Sequence, residues 1–163
     1  TGGGGAIPTN DKDFGKHAKH LTTTAKVPHQ WEFVHDEIGY NYRMPNLNAA
    51  LGCAQLDKLD NYISIKRKIA ETYRQFFDGI GIEFVWEPSD SLSNFWLNAI
   101  KLKNLSERTK FIEEMNSLGI GCRPIWRLIN RLEMYNKCFH GPLDVSMMLE
   151  ERIVNIPSGI PAK

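Results

Sequence analysis

The chain has 163 residues, of which 42% are apolar and 24% charged, and its formal net charge is +1. These proportions are ordinary for a globular protein with one core or two small ones. The near-zero charge gives no reason to expect nucleic acid as a partner, and no apolar run reaches the length of a membrane span. Three widely spaced cysteines without a C-x-x-C pair indicate neither a disulfide framework nor a zinc ribbon, so a reducing cytoplasm is expected.

The first ten residues include the run Gly2 to Gly5 and are predicted to form a strand followed by a turn. The run lacks the Lys-Ser/Thr pair of a phosphate-binding loop and the third glycine of a dinucleotide fingerprint. A structural role is therefore expected, in which glycine lets another backbone or a ligand approach closely. Because no Met opens the chain, we expect a fragment or the ordered remainder of a longer chain.

A short helix is predicted over residues 11–21. His17 and His20 lie three residues apart on it, and this spacing could chelate a metal ion. No carboxylate or cysteine is in register with them, so we predict a solvated pair and no metal site. The irregular residues 22–38 form a long loop, typical of functional or mobile segments. His35 in this loop is interpreted as a hydrogen-bonded residue in preference to an acid–base group.

The next segment, Gly39 to Met44, is an aromatic loop that carries one amide and one guanidinium, those of Asn41 and Arg43. Polar residues in such a loop are commonly capping or surface groups, and the pattern alone favours that interpretation. A rigid helix directly after the loop could instead hold both groups in place. An amide and a guanidinium held in this way suit a carboxylate or a phosphate.

Apolar residues at three- and four-residue spacing predict a long helix over residues 45–78. Pro45 suits the first helical turn, and Asn46 is predicted to cap it. The predicted length exceeds that of most globular helices, and bends at Gly52 and Asn61 would divide it into two abutting helices.

After residue 79 the pattern alternates between strands and helices, which predicts an α+β sheet covered by helices on one face. Ser106 is predicted to cap the first of these helices and Gly119 to end it. The expected strands are 82–86, 95–102, 120–126 and 153–157, and the expected helices are 106–118 and 143–150, with a short helix and loop over 127–139.

Two segments resemble one known family. Thr1 to Asp11 resembles the TTGGGGAIVTND strand, and Gly39 to Leu56 resembles the GYNYRM-x-x-LQAALG-x-AQL segment, of the DegT/DnrJ/StrS sugar aminotransferases, which use pyridoxal 5'-phosphate (PLP). Both occur in the family's order and spacing. The resemblance implies the C-terminal part of a PLP-dependent transferase of fold type I (α/β): 1–44 as the tail of the large PLP-binding domain, 45–78 as a linking helix and 79–163 as a small α+β domain.

The resemblance also implies an activity. The enzyme would move an amino group from glutamate to a nucleotide-linked keto sugar, with C4 of a UDP-4-keto-6-deoxy hexosamine as the expected acceptor, for a bacterial surface polysaccharide. It would be a cytoplasmic homodimer with a shared active site. The family's Schiff-base lysine is expected a few residues upstream of Thr1, so no catalytic residue is nominated in this chain, and the chain alone is expected to be inactive.

Site residues follow from the same resemblance. Asn41 matches a family asparagine that reaches across the dimer interface to the PLP phosphate of the neighbouring subunit. Arg43 matches an arginine near that phosphate and the donor's carboxylate, so it is expected to bind both cofactor and substrate. Tyr42, Arg123 and Trp126 are expected to face the substrate, although aromatic packing is the competing interpretation for Tyr42, and a core or interface position for Trp126.

Two other functions stay open at this stage. Sister enzymes of the family replace the lysine with histidine and remove a hydroxyl group instead of transferring an amine. In a different class of function, the loop and the long helix would serve only dimerisation.

Overall fold

The structure is a computed structural model that describes residues 2–161. The chain divides into two compact units, Thr1–Leu59 and Asp60–Lys163, which are described separately below. Thr1, where the predicted glycine strand begins, lies outside the described residues. None of the helices in the described part of the chain is long and apolar enough to cross a membrane.

The first unit begins with an irregular glycine segment. The predicted strand does not form between Gly2 and Asn10. Gly2 and Gly4 adopt φ angles of 72° and 145°, which no strand allows. The prediction of a strand here is therefore wrong. The expected close neighbour was another backbone or a ligand, but the group that approaches Gly4 is a side chain. A Cβ atom added to Gly4 would lie 2.6 Å from the terminal methyl carbon of Met44.

Helix α1 spans Lys12–Thr22, which confirms the helix predicted from sequence. Its cap is Asp11, whose side chain accepts hydrogen bonds from the backbone N–H groups of Asp13 and Phe14 at 2.9 and 3.0 Å. These bonds satisfy two of the donors that every helix start leaves without a partner.

Two abutting helices replace the single long one: α2 spans Asn46–Leu56 and α3 spans Leu59–Gly79. The break therefore falls at residues 57–58, and neither Gly52 nor Asn61 interrupts its helix. The predicted cap is also wrong. Pro45, with extended backbone, occupies the cap position and makes no side-chain bond, while Asn46 is already helical.

The second unit contains a four-stranded antiparallel sheet in the order β1-β2-β4-β3. The strands are β1 Glu83–Phe84, β2 Asn98–Lys101, β3 Arg123–Pro124 and β4 Ile153–Ile156. The sheet confirms the expected α+β architecture, but all four strands are shorter than predicted. In β2, Phe95 has a φ angle of +46°, outside the extended region, so the strand does not begin there.

Helices α4, Leu105–Ser117, and α5, Asp144–Glu150, accompany the sheet. The cap of α4 is Asn104, whose side chain accepts from the backbone N–H of Glu107 at 2.9 Å. Ser106 therefore lies inside the helix, and its predicted role is wrong. Asn104 has the extended backbone that a cap requires, two residues before the predicted cap. Two short 3₁₀ turns, Ile129–Arg131 and Glu133–Tyr135, separate β3 from α5.

The core of this unit is built around Ile100 and Val154, which face each other across β2 and β4 and are fully buried. Helix α3 contributes Ala70 and Phe77 to the same cluster. Partly buried side chains pack around it, among them three from α4: Phe111, Ile112 and Met115. Burying a large apolar side chain stabilises the fold by roughly 1.5–3 kcal/mol, so this cluster provides the main stabilisation of the unit.

Candidate functional site

In the first unit, the aromatic loop at residues 39–44 is attached to the end of α1 through its backbone. Thr23 and Asn41 form an antiparallel bridge. Three hydrogen bonds extend the attachment: Tyr40 N–H to Leu21 O at 2.7 Å, Tyr42 N–H to Thr22 O at 3.0 Å, and Thr24 N–H to Tyr40 O at 3.1 Å. Because the backbone makes these bonds, the side chains of the loop are not needed to hold it.

Gly39 makes the attachment sterically feasible. Directly after α1, Thr24 and Ala25 adopt left-handed φ angles of 72° and 49°, which residues with a Cβ atom rarely do. The chain turns sharply there and passes against Gly39. A Cβ atom added to Gly39 would lie 2.3 Å from the carbonyl carbon of Thr24 and 2.4 Å from the amide nitrogen of Ala25. A residue larger than glycine would therefore collide with backbone atoms.

Asn41 and Arg43 are both exposed on this loop. Within residues 2–161 the hydrogen bonds between loop and helix come from the backbone, which leaves the amide of Asn41 and the guanidinium of Arg43 available to a ligand. Tyr40 and Tyr42 stack on each other with ring centroids 5.3 Å apart. Tyr42 also lines a cavity of about 640 Å³ together with Lys19 and the glycine segment.

The histidines of α1 are paired with carboxylates, which corrects the prediction of a solvated pair. His17 Nε2 lies 2.9 Å from Glu37 Oε2, and His20 Nε2 lies 2.6 Å from Asp36 Oδ1. The hydrogen bond from His20 holds the pKa of Asp36 below its ordinary value. Potential ligand atoms of His20, Asp36 and Glu37 lie within 4.8 Å of one another. The hydrogen bonds account for this approach without an ion.

These pairs are not visible in the sequence, because helical periodicity indicates only carboxylates in register on the same helix. The partners come from the following loop, sixteen and twenty residues away, and only the fold brings them together. The third histidine of this region behaves as expected. His35 donates through Nδ1 to the carbonyl of Thr24 at 2.7 Å, which confirms the interpretation of a hydrogen-bonded loop residue.

The other two predicted site residues lie in the second unit. Arg123 is exposed on β3 and lines a groove of about 500 Å³. Trp126 is 66% exposed, so it does not belong to the core of the chain. Its ring centroid lies 6.3 Å from that of Trp96, a residue that the sequence analysis did not single out.

Comparison with known proteins gives the assignment of the chain. The model of the DegT/DnrJ/EryC1/StrS aminotransferase family matches residues 1–161. The chain belongs to this family. Aminotransferases of the family depend on PLP, as the resemblance implied.

Individual relatives agree with the family. GDP-perosamine synthase of Escherichia coli O157:H7 is 32% identical over 158 residues, which are 97% of this chain and 43% of that protein. GDP-4-keto-6-deoxy-D-mannose 3-dehydratase of Escherichia coli O55:H7 (strain CB9615 / EPEC) is 36% identical over 110 residues, 66% of this chain and 28% of that protein. The chain thus spans less than half the length of either relative.

The fold matches that of solved family members. The Helicobacter pylori aminotransferase PseC, described as involved in the biosynthesis of pseudoaminic acid, superposes with a TM-score of 0.84 at 20% identity. The match covers 91% of this chain and 42% of PseC. It confirms the expected fold, that of PLP-dependent aminotransferases of fold type I.

The donor groups of the loop fit the phosphate of PLP. An amide N–H₂ donates to a phosphate oxygen, and a guanidinium fork donates two parallel bonds to a phosphate or a carboxylate. Asn41 and Arg43 supply one of each, both exposed and two residues apart on a backbone that is fixed to α1. The residues present are therefore suited to hold this end of the cofactor.

Proposed function

We propose that this chain provides part of a PLP-dependent aminotransferase that moves an amino group from glutamate to a nucleotide-linked keto sugar. Asn41 of one subunit would donate to the cofactor phosphate in the site of the second subunit, and Arg43 would face the same phosphate and the donor's carboxylate. The observation that carries the proposal is the exposed amide and guanidinium on a loop fixed by backbone bonds.

Exposed apolar residues of α2 support a shared site. The helix that follows the loop buries none of its residues within the described chain. Leu47, Leu51 and Leu56 are 84%, 47% and 67% exposed. Leu47 and Leu51 lie four residues apart and share one side of the helix, and an exposed apolar side is typical of a surface that another protein segment covers. A second copy of the chain on this helix would bring its own site close to the loop that precedes the helix.

The role of this chain would be to bind and orient. PLP supplies the electron sink that lets an amino group be exchanged, while the protein fixes the cofactor and supplies charge. Arg43 would hold a carboxylate of glutamate by charge-assisted hydrogen bonds. Asn41 would hold the phosphate without adding charge. Neither residue would take part in proton transfer, because an arginine stays protonated and an amide does not titrate.

The sugar is proposed to be a 4-keto-6-deoxy hexose. The family resemblance implies a UDP-linked acceptor. The relative that matches 97% of this chain is named for a GDP-linked sugar, which supports GDP-linked acceptors as the first to be tested. Amine formation on GDP-linked and UDP-linked 4-keto-6-deoxy sugars, measured in parallel with glutamate as donor, distinguishes the two.

A dehydratase is the second candidate, favoured by the 36% identity to GDP-4-keto-6-deoxy-D-mannose 3-dehydratase. Product analysis separates the two reactions. The aminotransferase yields an amino sugar and consumes glutamate in equal amounts, whereas the dehydratase yields a sugar that has lost one hydroxyl group.

The cross-subunit role can be tested in the full-length protein by Asn41→Ala, with Asn61→Ala, an exposed residue of α3, as the matched control. Losing one hydrogen bond to a charged group costs about 1.5–3 kcal/mol. The affinity for PLP should therefore fall by a factor of roughly 10 to 150. The control should bind PLP normally. An unchanged affinity in Asn41→Ala would contradict the proposal and favour the role of a dimerisation domain.

Mixed dimers test whether the asparagine acts in the neighbouring site. Asn41→Ala is mixed with a variant in which the cofactor-binding lysine, expected upstream of Thr1, is replaced. The assay uses a PLP concentration that loads wild-type sites but not sites that lack the Asn41 amide. If Asn41 serves the neighbouring subunit, each mixed dimer then has one site with both groups intact, and random pairing restores about one quarter of the wild-type activity. If Asn41 serves its own subunit, no site is intact and no activity returns.

A further inference from the structure

In the first unit, the two histidines of α1 lie against two neighbouring carboxylates from the loop that follows the helix. His17 Nε2 lies 3.1 and 2.9 Å from the two carboxylate oxygens of Glu37. His20 Nε2 lies 2.6 Å from Asp36 Oδ1 and 4.0 Å from Glu37 Oε1. Glu37 is therefore within reach of both imidazoles. The loop thus supplies the carboxylates whose absence from the helix argued against a metal site.

Three of these side chains have the spacing that a metal site needs. His20, Asp36 and Glu37 each offer one ligand atom, and the three atoms lie within 4.8 Å of one another. Zn²⁺ binds imidazole nitrogen and carboxylate oxygen at about 2.0–2.2 Å, so the ligand atoms of a tetrahedral site lie about 3.3–3.6 Å apart. The two distances from His20 Nε2 to the carboxylates, 2.6 and 4.0 Å, fall on either side of this range. Small side-chain rotations would bring the three atoms around one ion.

The backbone holds the helix and the carboxylate segment together. Ala25 N–H donates to the carbonyl of His20 at 2.8 Å, which folds the chain back onto the end of α1. Asp36 N–H donates in turn to the carbonyl of Ala25 at 3.4 Å, and the bridge between Lys26 and His35 closes the loop directly before the carboxylates. Because these contacts come from the backbone, binding an ion would require only side-chain adjustments.

The ligand set also indicates the kind of ion. One imidazole with two carboxylates suits a divalent transition metal, whereas Ca²⁺ and Mg²⁺ prefer oxygen ligands alone. Within this chain the side chains of His20, Asp36 and Glu37 are 25%, 53% and 44% exposed, so an ion can reach them from solvent. His17 is not one of the three, but its contact with both oxygens of Glu37 would orient that carboxylate, as outer partners of metal ligands do.

We propose that His20, Asp36 and Glu37 bind a divalent transition-metal ion such as Zn²⁺, with His17 as the positioning residue of Glu37. In the metal-free arrangement, hydrogen bonds hold the same groups together. The ion would take the place of the proton between His20 Nε2 and Asp36 Oδ1, and that proton would pass to solvent. The bound ion would tie the loop over residues 23–41 to α1.

Equilibrium dialysis of the full-length protein, first freed of metal by a chelator, tests the proposal with Zn²⁺ and Mg²⁺ as separate probes. One Zn²⁺ per chain should bind, and Mg²⁺ should bind far more weakly. Losing an outer partner costs about 10- to 100-fold in metal affinity, and this is the loss expected for His17→Gln. His20→Gln and Glu37→Gln each remove a ligand, so they should cost at least about 100-fold. His140→Gln, an exposed histidine of the second unit, is the matched control and should bind Zn²⁺ normally.

Two further measurements locate the ion. Co²⁺ should give visible absorption bands with the wild type that are lost in His20→Gln and shifted in His17→Gln, because band positions report the ligands and not the stability of the fold. Amide hydrogen exchange reports the loop. The N–H of Val27, which donates to the carbonyl of Val34 at 2.8 Å, should exchange up to about 100-fold more slowly when Zn²⁺ is present at 100 times its Kd.

Two results would overturn the site. If His20→Gln and Glu37→Gln bound Zn²⁺ like the wild type while circular dichroism showed them folded, the ion would lie at other groups, such as the phosphate of PLP or the exposed thiol of Cys53. If Mg²⁺ bound as tightly as Zn²⁺, the imidazole would not be a ligand. Neither result bears on the proposed function, because the PLP affinity of Asn41→Ala is a separate measurement.

Discussion

Replacing Gly39 with alanine places a methyl group where two backbone segments touch. Its carbon would lie 2.3, 2.4 and 2.8 Å from backbone atoms of Thr24 and Ala25, and backbone cannot yield as a flexible side chain does. Restoring ordinary contact needs a displacement of about 1 Å, which would break two of the loop's backbone hydrogen bonds at about 1 kcal/mol each. Overpacking adds roughly 1–3 kcal/mol. The expected destabilisation is therefore about 3–5 kcal/mol.

Amide hydrogen exchange measures this locally. The N–H groups of Tyr40 and Tyr42, which donate to α1, should exchange at least about 100-fold faster in Gly39→Ala, because each 1.4 kcal/mol of lost local stability is a factor of ten. Amides of the β2–β4 ladder should keep their protection. The control is Gly5→Ala, where an added Cβ meets nothing within 4 Å. Unchanged exchange at both tyrosines in Gly39→Ala would refute the steric argument.

Two further predictions concern the second unit. Asn104→Ala should destabilise the protein by about 1 kcal/mol in urea unfolding through loss of the α4 cap, and Ser106→Ala should change stability by much less; the reverse order would contradict the cap assignment. The hydrogen bond from Arg67 lowers the pKa of Glu87 from 4.5 to about 2. Its stabilisation is therefore present above pH 4.5 and is lost as the pH falls toward 2, so Glu87→Gln should flatten the stability curve in that window, and an unchanged slope would exclude this role.

Features with local causes could be predicted from the sequence. The helix start at Asp11, the α+β pattern after residue 79 and the helix end before Gly119 each follow from a few neighbouring residues, and the structure confirms them. The family segments also placed Asn41 and Arg43 on one loop before a helix.

Features that depend on distant residues could not be predicted. The carboxylate partners of His17 and His20 come from another segment of chain. The short β2 strand reflects the left-handed backbone of Phe95, which is stabilised by Arg67, 28 positions earlier in the sequence. The cap of α4 was misplaced by two residues because both Asn and Ser are good capping residues, and only the backbone conformation distinguishes them. The contact between Trp96 and Trp126 likewise joins residues 30 positions apart.

The bridge between Thr23 and Asn41, and the second bridge between Lys26 and His35, close the base of the loop that they enclose. Its tip, which includes Trp31 and Phe33, is exposed. The tip and the stem are therefore under different constraints, because an exposed loop tip tolerates insertions and substitutions far better than the hydrogen-bonded backbone at its base. Insertions or substitutions at this tip are therefore expected to leave the backbone position of Asn41 in the stem unchanged.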